Sequence, residues 1–71
     1  MNINKIGAKA QMPVSADEIN FIEEYEIDMG YAGVHEYSDF TRLTDAEKLN
    51  WIKMNDTKAY NYFLTHKERF A

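Results

Sequence analysis

The sequence contains no cysteine, one proline and three glycines among its 71 residues. Without cysteine the chain can form neither disulfide bonds nor a thiolate zinc site, and its two histidines are too few for a histidine-rich metal site. No apolar run exceeds three residues, far short of a membrane span or the core of a signal peptide. These absences predict a cytoplasmic protein that uses no metal and no membrane.

The chain is also short, and its length leaves no room for a second domain. A domain of this size buries only about 60% of the surface that its unfolded chain exposes, so its stability is small. A partner protein or a second copy of the chain is a common way to complete such a core.

Basic residues are few and unevenly placed. Twelve acids outnumber eight bases, which gives a formal charge of −4 and an isoelectric point near 5.0. From residue 17 to residue 39 there are eight acids and no base, whereas from Arg42 onwards six bases accompany four acids. Phosphate binding depends on Lys and Arg, so the balance disfavours a nucleic-acid ligand and favours a protein partner with a basic surface.

Three helix-start signals predict an all-α fold. Ser15 with Glu18 and Thr44 with Glu47 form capping boxes, and Asp56 can cap a third helix. We predict a three-helix domain over residues 15–71, with helices at about 16–29, 45–54 and 57–70, after an irregular N-terminal arm at 1–14. Gly30 is the expected end of the first helix. Residues 31–43 form a connection whose apolar residues pack onto the helices.

The helical period predicts which side chains meet in the core. At about 100° per residue each helix presents one apolar stripe. The predicted stripes are Ile19, Ile22, Tyr25 and Met29 on the first helix, Ala46, Leu49 and Ile52 on the second, and Ala59, Tyr60, Phe63 and Phe70 on the third. Glu26 falls inside the first stripe, so its carboxylate either extends out to solvent or pairs with Lys48, Lys53 or Arg42, and we expect the ion pair.

Some apolar side chains fall outside these stripes. Trp51 and Met54 point nearly opposite to the second stripe, and Tyr62 and Leu64 flank the third. Two interpretations of Trp51 remain open at this point. Either the arm or the connection covers it, or it contributes to an interface, where Trp and Met are enriched.

No constellation of residues points to catalysis. The segment from His35 to Asp39 resembles only part of a metalloprotease helix, and the remaining ligands are missing. Ser15 and Ser38 have no evident base beside them, and no Gly-rich phosphate loop is present. We therefore predict no catalytic, cofactor-binding or metal-binding residues, and no enzyme activity.

The first hypothesis is a non-enzymatic protein-binding module that docks an acidic helix and an aromatic patch on a larger, nucleic-acid-handling protein. Such a module suits an inhibitor or adaptor, including a phage-encoded one. The predicted partner-binding residues are Glu23, Glu24, Glu26, Asp28, Trp51, Met54 and Tyr62.

Two other hypotheses belong to different classes. The second and third helices could imitate a helix-turn-helix that reads DNA through Lys58, Asn61, Thr65 and Arg69, although the net charge opposes this. Alternatively, the oppositely charged halves of two copies could pair in a self-associating structural subunit. A homodimer is compatible with the first hypothesis as well.

Overall fold

The computed structural model describes residues 13–71, which contain five helices and no strand. They are α1 (Ala16–Ala32), α2 (Tyr37–Phe40), α3 (Asp45–Asn55), α4 (Thr57–Thr65) and α5 (Lys67–Phe70). The all-α prediction is confirmed, with three main helices and two single-turn helices. The predicted arm lies mostly outside the described residues, since only Pro13 and Val14 of it are described, and both are irregular.

The three main helices begin where their capping residues predict. The Ser15 backbone N–H donates to Glu18 Oε1 at 2.8 Å at the start of α1. At the start of α3 the Thr44 N–H donates to Glu47 Oε1 at 2.8 Å, and the Glu47 N–H donates to Thr44 Oγ1 at 3.2 Å. Asp56 Oδ1 accepts from the Ala59 N–H at 3.2 Å and begins α4. Each bond satisfies a backbone group that a helix terminus leaves without a partner.

The predicted end of the first helix is wrong by three residues. Gly30 lies inside α1, and Gly33 ends the helix in the left-handed conformation, with φ 67° and ψ 35°. The Gly33 N–H donates to Gly30 O and the Val34 N–H to Met29 O, both at 3.2 Å, which is the Schellman arrangement. Gly30 instead allows a close approach, because a Cβ there would lie 3.1 Å from the Tyr37 ring.

The predicted third helix is broken at His66, whose backbone (φ −132°, ψ 38°) leaves the helical region. Side chains compete there for the carbonyls that a continuous helix would use. Thr65 Oγ1 donates to Asn61 O and Tyr62 O, both at 3.1 Å, and His66 Nδ1 lies 2.9 Å from Tyr62 O. After the break, the Phe70 carbonyl accepts from Asn20 Nδ2 at 2.7 Å, which ties α5 to α1.

The core is mainly aromatic and joins all five helices. Its buried apolar residues are Phe21, Ile22, Met29, Phe40, Ile52, Phe63 and Phe70. The Phe21 ring stacks on Phe63 at 4.6 Å between centroids, and Phe70 meets both rings edge-on at 5.5 and 5.6 Å. The predicted stripe does not contain Phe21. It does contain Ile19, which is only half-buried. Phe21 is buried because α1 packs against α4 and α5 as well as α3.

Candidate functional site

The seven predicted partner-binding residues do not form one surface. Glu24, Asp28 and Tyr62 line a depression between α1 and the α4–α5 end of the chain. Glu23 and Glu26 line a second depression on α1, and Trp51 and Met54 lie on α3. The acidic face of α1 is therefore divided between two depressions, which have different neighbours.

Glu26 is partly buried and is held by an ion pair. Its Oε1 lies 2.8 Å from Lys48 Nζ, and the two side chains are 22% and 13% exposed. The same ammonium lies 5.8 Å from the centroid of the Phe40 ring, which adds a cation–π contact. The predicted ion pair is confirmed, with Lys48 as the partner, so Glu26 has a structural role whether or not it also meets another protein.

Glu24 and Tyr62 share a cation from α5. Arg69 Nη2 donates to Glu24 Oε1 at 2.7 Å, and this hydrogen bond raises the pKa of the guanidinium. The guanidinium carbon lies 5.7 Å from the Tyr62 ring centroid and 4.9 Å from that of Phe70. His66 stacks on the Tyr62 ring at 4.1 Å. Tyr62 is exposed, but its ring already has three intramolecular contacts, because Phe70 also meets it edge-on at 6.3 Å between centroids.

Trp51 is partly covered by the chain, as the first of the two interpretations expected. The buried Phe40 of α2 meets its ring edge-on at 5.3 Å between centroids, and Trp51 is half-buried. Met54 is 58% exposed, and its sulfur accepts from Asn50 Nδ2 at 3.7 Å. Trp51 therefore contributes to packing, whereas most of Met54 faces solvent.

A surface that the sequence analysis missed lies on the second half of α1. It consists of Ile27, Gly30, Tyr31 and Tyr37, with Glu23 and Glu26 beside it, and we call it the Tyr31 surface. Its three large side chains are 58%, 89% and 38% exposed for Ile27, Tyr31 and Tyr37. Adjacent exposed apolar side chains with a polar rim mark interaction sites more often than isolated ones do.

The missed surface follows from the misplaced helix end. A first helix that stops at Gly30, as predicted from the sequence, places Tyr31 in the connection, where its side chain would pack onto the helices. Because α1 continues to Ala32, Glu23, Ile27 and Tyr31 stand four residues apart on one exposed stripe. The signal in the sequence was the second glycine, Gly33, followed by the apolar Val34.

Tyr25 and Asp56 form a polar contact at the edge of the core. The Tyr25 hydroxyl donates to Asp56 Oδ2 at 2.9 Å, while the other carboxylate oxygen caps α4. Partial burial, followed by the hydrogen bond to Asp56, raises the pKa of Tyr25 well above its ordinary range. One Asp56 oxygen caps α4 and the other ties α4 to α1, so this pair has a structural role.

Residues 13–71 contain no group of three or more acidic or histidine side chains placed to hold a metal ion. Among the helices of the same range, none is long and apolar enough to cross a membrane. Comparison of the chain with protein-family models, with curated proteins and with solved structures found no match.

Proposed function

We propose that this chain is a non-enzymatic, acidic protein-binding module that docks α1 on a basic surface of a larger protein. The observation that carries the proposal is the composition of the exposed side of α1. Glu23 and Asp28 are exposed and form no ion pair within residues 13–71. Of the two, Glu23 lines the same depression as the exposed Ile27, whereas Asp28 lines the depression that contains Arg69. Carboxylates beside an apolar anchor match a partner surface that presents Lys or Arg around an apolar side chain.

A nucleic-acid-handling protein is the proposed class of partner. Its binding groove is basic because it neutralises phosphates, and the same groove attracts a helix with closely spaced carboxylates. The eight acids without a base between residues 17 and 39 supply that attraction. The module would then act as an inhibitor that competes with nucleic acid, or as an adaptor, and a phage-encoded inhibitor of a host protein is one form of this proposal.

The test is affinity capture with the tagged full chain and two matched charge reversals. Glu23→Lys lies on the proposed docking face, whereas Glu68→Lys changes the net charge equally on exposed α5. We expect a specific protein to be retained by the parent chain and by Glu68→Lys, and lost with Glu23→Lys. Added nucleic acid should displace it.

Recovery of nuclease-sensitive DNA that is indifferent to Glu23→Lys would contradict the proposal. The helix-turn-helix alternative gains no support from the geometry. A single residue, Asp56, separates α3 from α4, whereas such motifs use a turn of three or four residues. Of its four proposed contact residues, Arg69 lies outside α4 and is paired with Glu24.

A further inference from the structure

Cationic side chains of this protein lie against many of its aromatic rings. Five cation–π contacts occur within residues 13–71, and they involve the rings of Phe40, Tyr60, Tyr62, Phe63 and Phe70. Three aromatic residues of that range are exposed, namely Tyr31, Tyr37 and Tyr62. Tyr62 has Arg69 beside it, whereas no cation from the described residues lies over Tyr31 or Tyr37.

The contact at Tyr62 shows that a glutamate of α1 can bind an arginine beside an exposed tyrosine ring. There a glutamate of α1, Glu24, binds an arginine at 2.7 Å while the guanidinium lies 5.7 Å from an exposed tyrosine ring. The Tyr31 surface presents the same groups elsewhere on the helix. Glu23 lines one depression together with Ile27 and Tyr37, and the exposed Tyr31 lines a second depression with the same Ile27 and Tyr37.

We infer that the Tyr31 surface binds an arginine side chain from a basic segment of a partner protein. This inference rests on the proposed function and names the chemistry of its docking site. A guanidinium is planar, stacks on a tyrosine ring and donates two parallel hydrogen bonds to a carboxylate. The carboxylate is that of Glu23, and the stacking ring is that of Tyr37, which lines the same depression. Ile27 and Tyr31, which line the neighbouring depression together with Tyr37, pack against the aliphatic part of the arginine.

The charge around the surface selects a cation. Glu23 is exposed, and the Glu26 carboxylate beside it uses Oε1 for Lys48. Glu36, the residue preceding α2, is exposed as well. No base occurs in the sequence between residues 17 and 39, and the charge of Lys48 is matched by Glu26, so Glu23 and Glu36 give this part of the surface a negative charge. Lysine matches this charge but lacks the planar fork, which is why arginine is the preferred side chain.

The experiment is an NMR titration of the full chain with two capped peptides, one alternating arginine with leucine and the other alternating lysine with leucine. We expect the arginine peptide to bind at least about threefold more tightly, because only its side chain stacks and pairs bidentately. The largest shifts should fall on the ring signals of Tyr31 and Tyr37, and on the amides around Ile27.

Variants assign the binding to individual groups. Tyr31→Ala and Glu23→Gln should each weaken binding of the arginine peptide about threefold, since an exposed packing contact and an exposed ion pair each contribute little individually. Glu68→Gln removes an exposed carboxylate from α5 and should leave the affinity unchanged. Tyr31 is 89% exposed, so its substitution should also leave the far-UV circular dichroism unchanged.

Equal affinity for both peptides, with no effect of Tyr31→Ala, would overturn this inference. The proposed function would still stand if lysate capture were lost with Glu23→Lys. Sedimentation as a dimer that Tyr31→Ala dissociates would assign the surface to a second copy instead. If a Lys5→Gln, Lys9→Gln variant binds the arginine peptide more tightly than the parent chain does, the Tyr31 surface would be assigned to the protein's own N-terminal segment.

Discussion

Asp56 makes two contacts, one that caps α4 and one that joins α4 to α1, and their free energies can be measured separately. Its Oδ1 caps α4 through the Ala59 N–H at 3.2 Å, and its Oδ2 accepts from the Tyr25 hydroxyl at 2.9 Å. Removing an N-cap side chain costs about 1 kcal/mol. A hydrogen bond to a charged acceptor is worth about 1.5–3 kcal/mol, and we take about 1 because Tyr25 is only half-buried.

Asp56→Ala should therefore lower the free energy of unfolding by about 2 kcal/mol, and Tyr25→Phe should lower it by about 1. In a domain of this size such a loss lowers the melting temperature by roughly 8–16 °C for Asp56→Ala. Asp56→Asn keeps a side-chain oxygen suited to capping and should lose less than Asp56→Ala. Urea unfolding followed by circular dichroism and by Trp51 fluorescence measures all three.

The double variant tests the reasoning. If the two side chains are bonded as described, Tyr25→Phe should cost almost nothing once Asp56 is alanine. The coupling free energy should then be about 1 kcal/mol. A coupling below about 0.3 kcal/mol, within the error of additive effects, would refute the contact. A loss for Asp56→Asn as large as that for Asp56→Ala would refute the capping role.

Three further predictions concern the helix end, the ion pairs and alkaline pH. Gly33→Ala should lower the free energy of unfolding by about 1 kcal/mol, because φ is 67° there. Gly30→Ala should change it by less than about 0.5 kcal/mol, since the half-exposed Tyr37 ring can shift. Thermal melts compare the two variants. Glu26→Gln, next to the largely covered Lys48, should lower the free energy of unfolding by about 1–2 kcal/mol, and Glu24→Gln, in the exposed pair, by less than about 1 kcal/mol. Urea unfolding measures both losses, and equal losses would contradict the difference in burial between the two pairs. The folded-state pKa of Tyr25 is raised above that of an ordinary tyrosine, which is about 10. The contribution of Tyr25 to the free energy of unfolding is therefore fully present below about pH 10 and is lost as the pH rises above that value. Urea unfolding across that range should show the advantage of the parent chain over Tyr25→Phe shrinking; a constant difference would contradict it.

Helix starts could be predicted from the sequence, and helix ends could not, for a physical reason. A start is marked by local chemistry, since Ser15, Thr44 and Asp56 each act within three residues of their own position. An end is chosen among candidates by tertiary contacts. Gly30 and Gly33 are equally able to stop a helix, and the packing of Val34 against the core decides between them.

The same distinction applies to the candidate site. The Glu26–Lys48 pair was predictable, because a carboxylate on an apolar stripe needs a cation and few are available. The contact between Arg69 and Glu24 was not, since it depends on the break at His66 and on the fold that brings α5 to α1. The Tyr31 surface was not predicted, because a helix end placed three residues too early assigns Tyr31 to the connection instead of to the exposed face of α1.

The two ion pairs on α1 also separate its acids by role. Glu24 and Glu26 each bind a cation of the chain itself, on the two sides of the helix. They pin α1 to α5 and α3 and neutralise part of its charge. Glu23 and Asp28 have no such pair within residues 13–71. Besides the Glu24 hydrogen bond, the charge of Asp28 still contributes to raising the pKa of the Arg69 guanidinium, whereas the exposed Glu23 has no cation of the described residues beside it. Exposed carboxylates that repel one another destabilise a small domain slightly, and a partner that supplies the missing cations would relieve that repulsion as it binds.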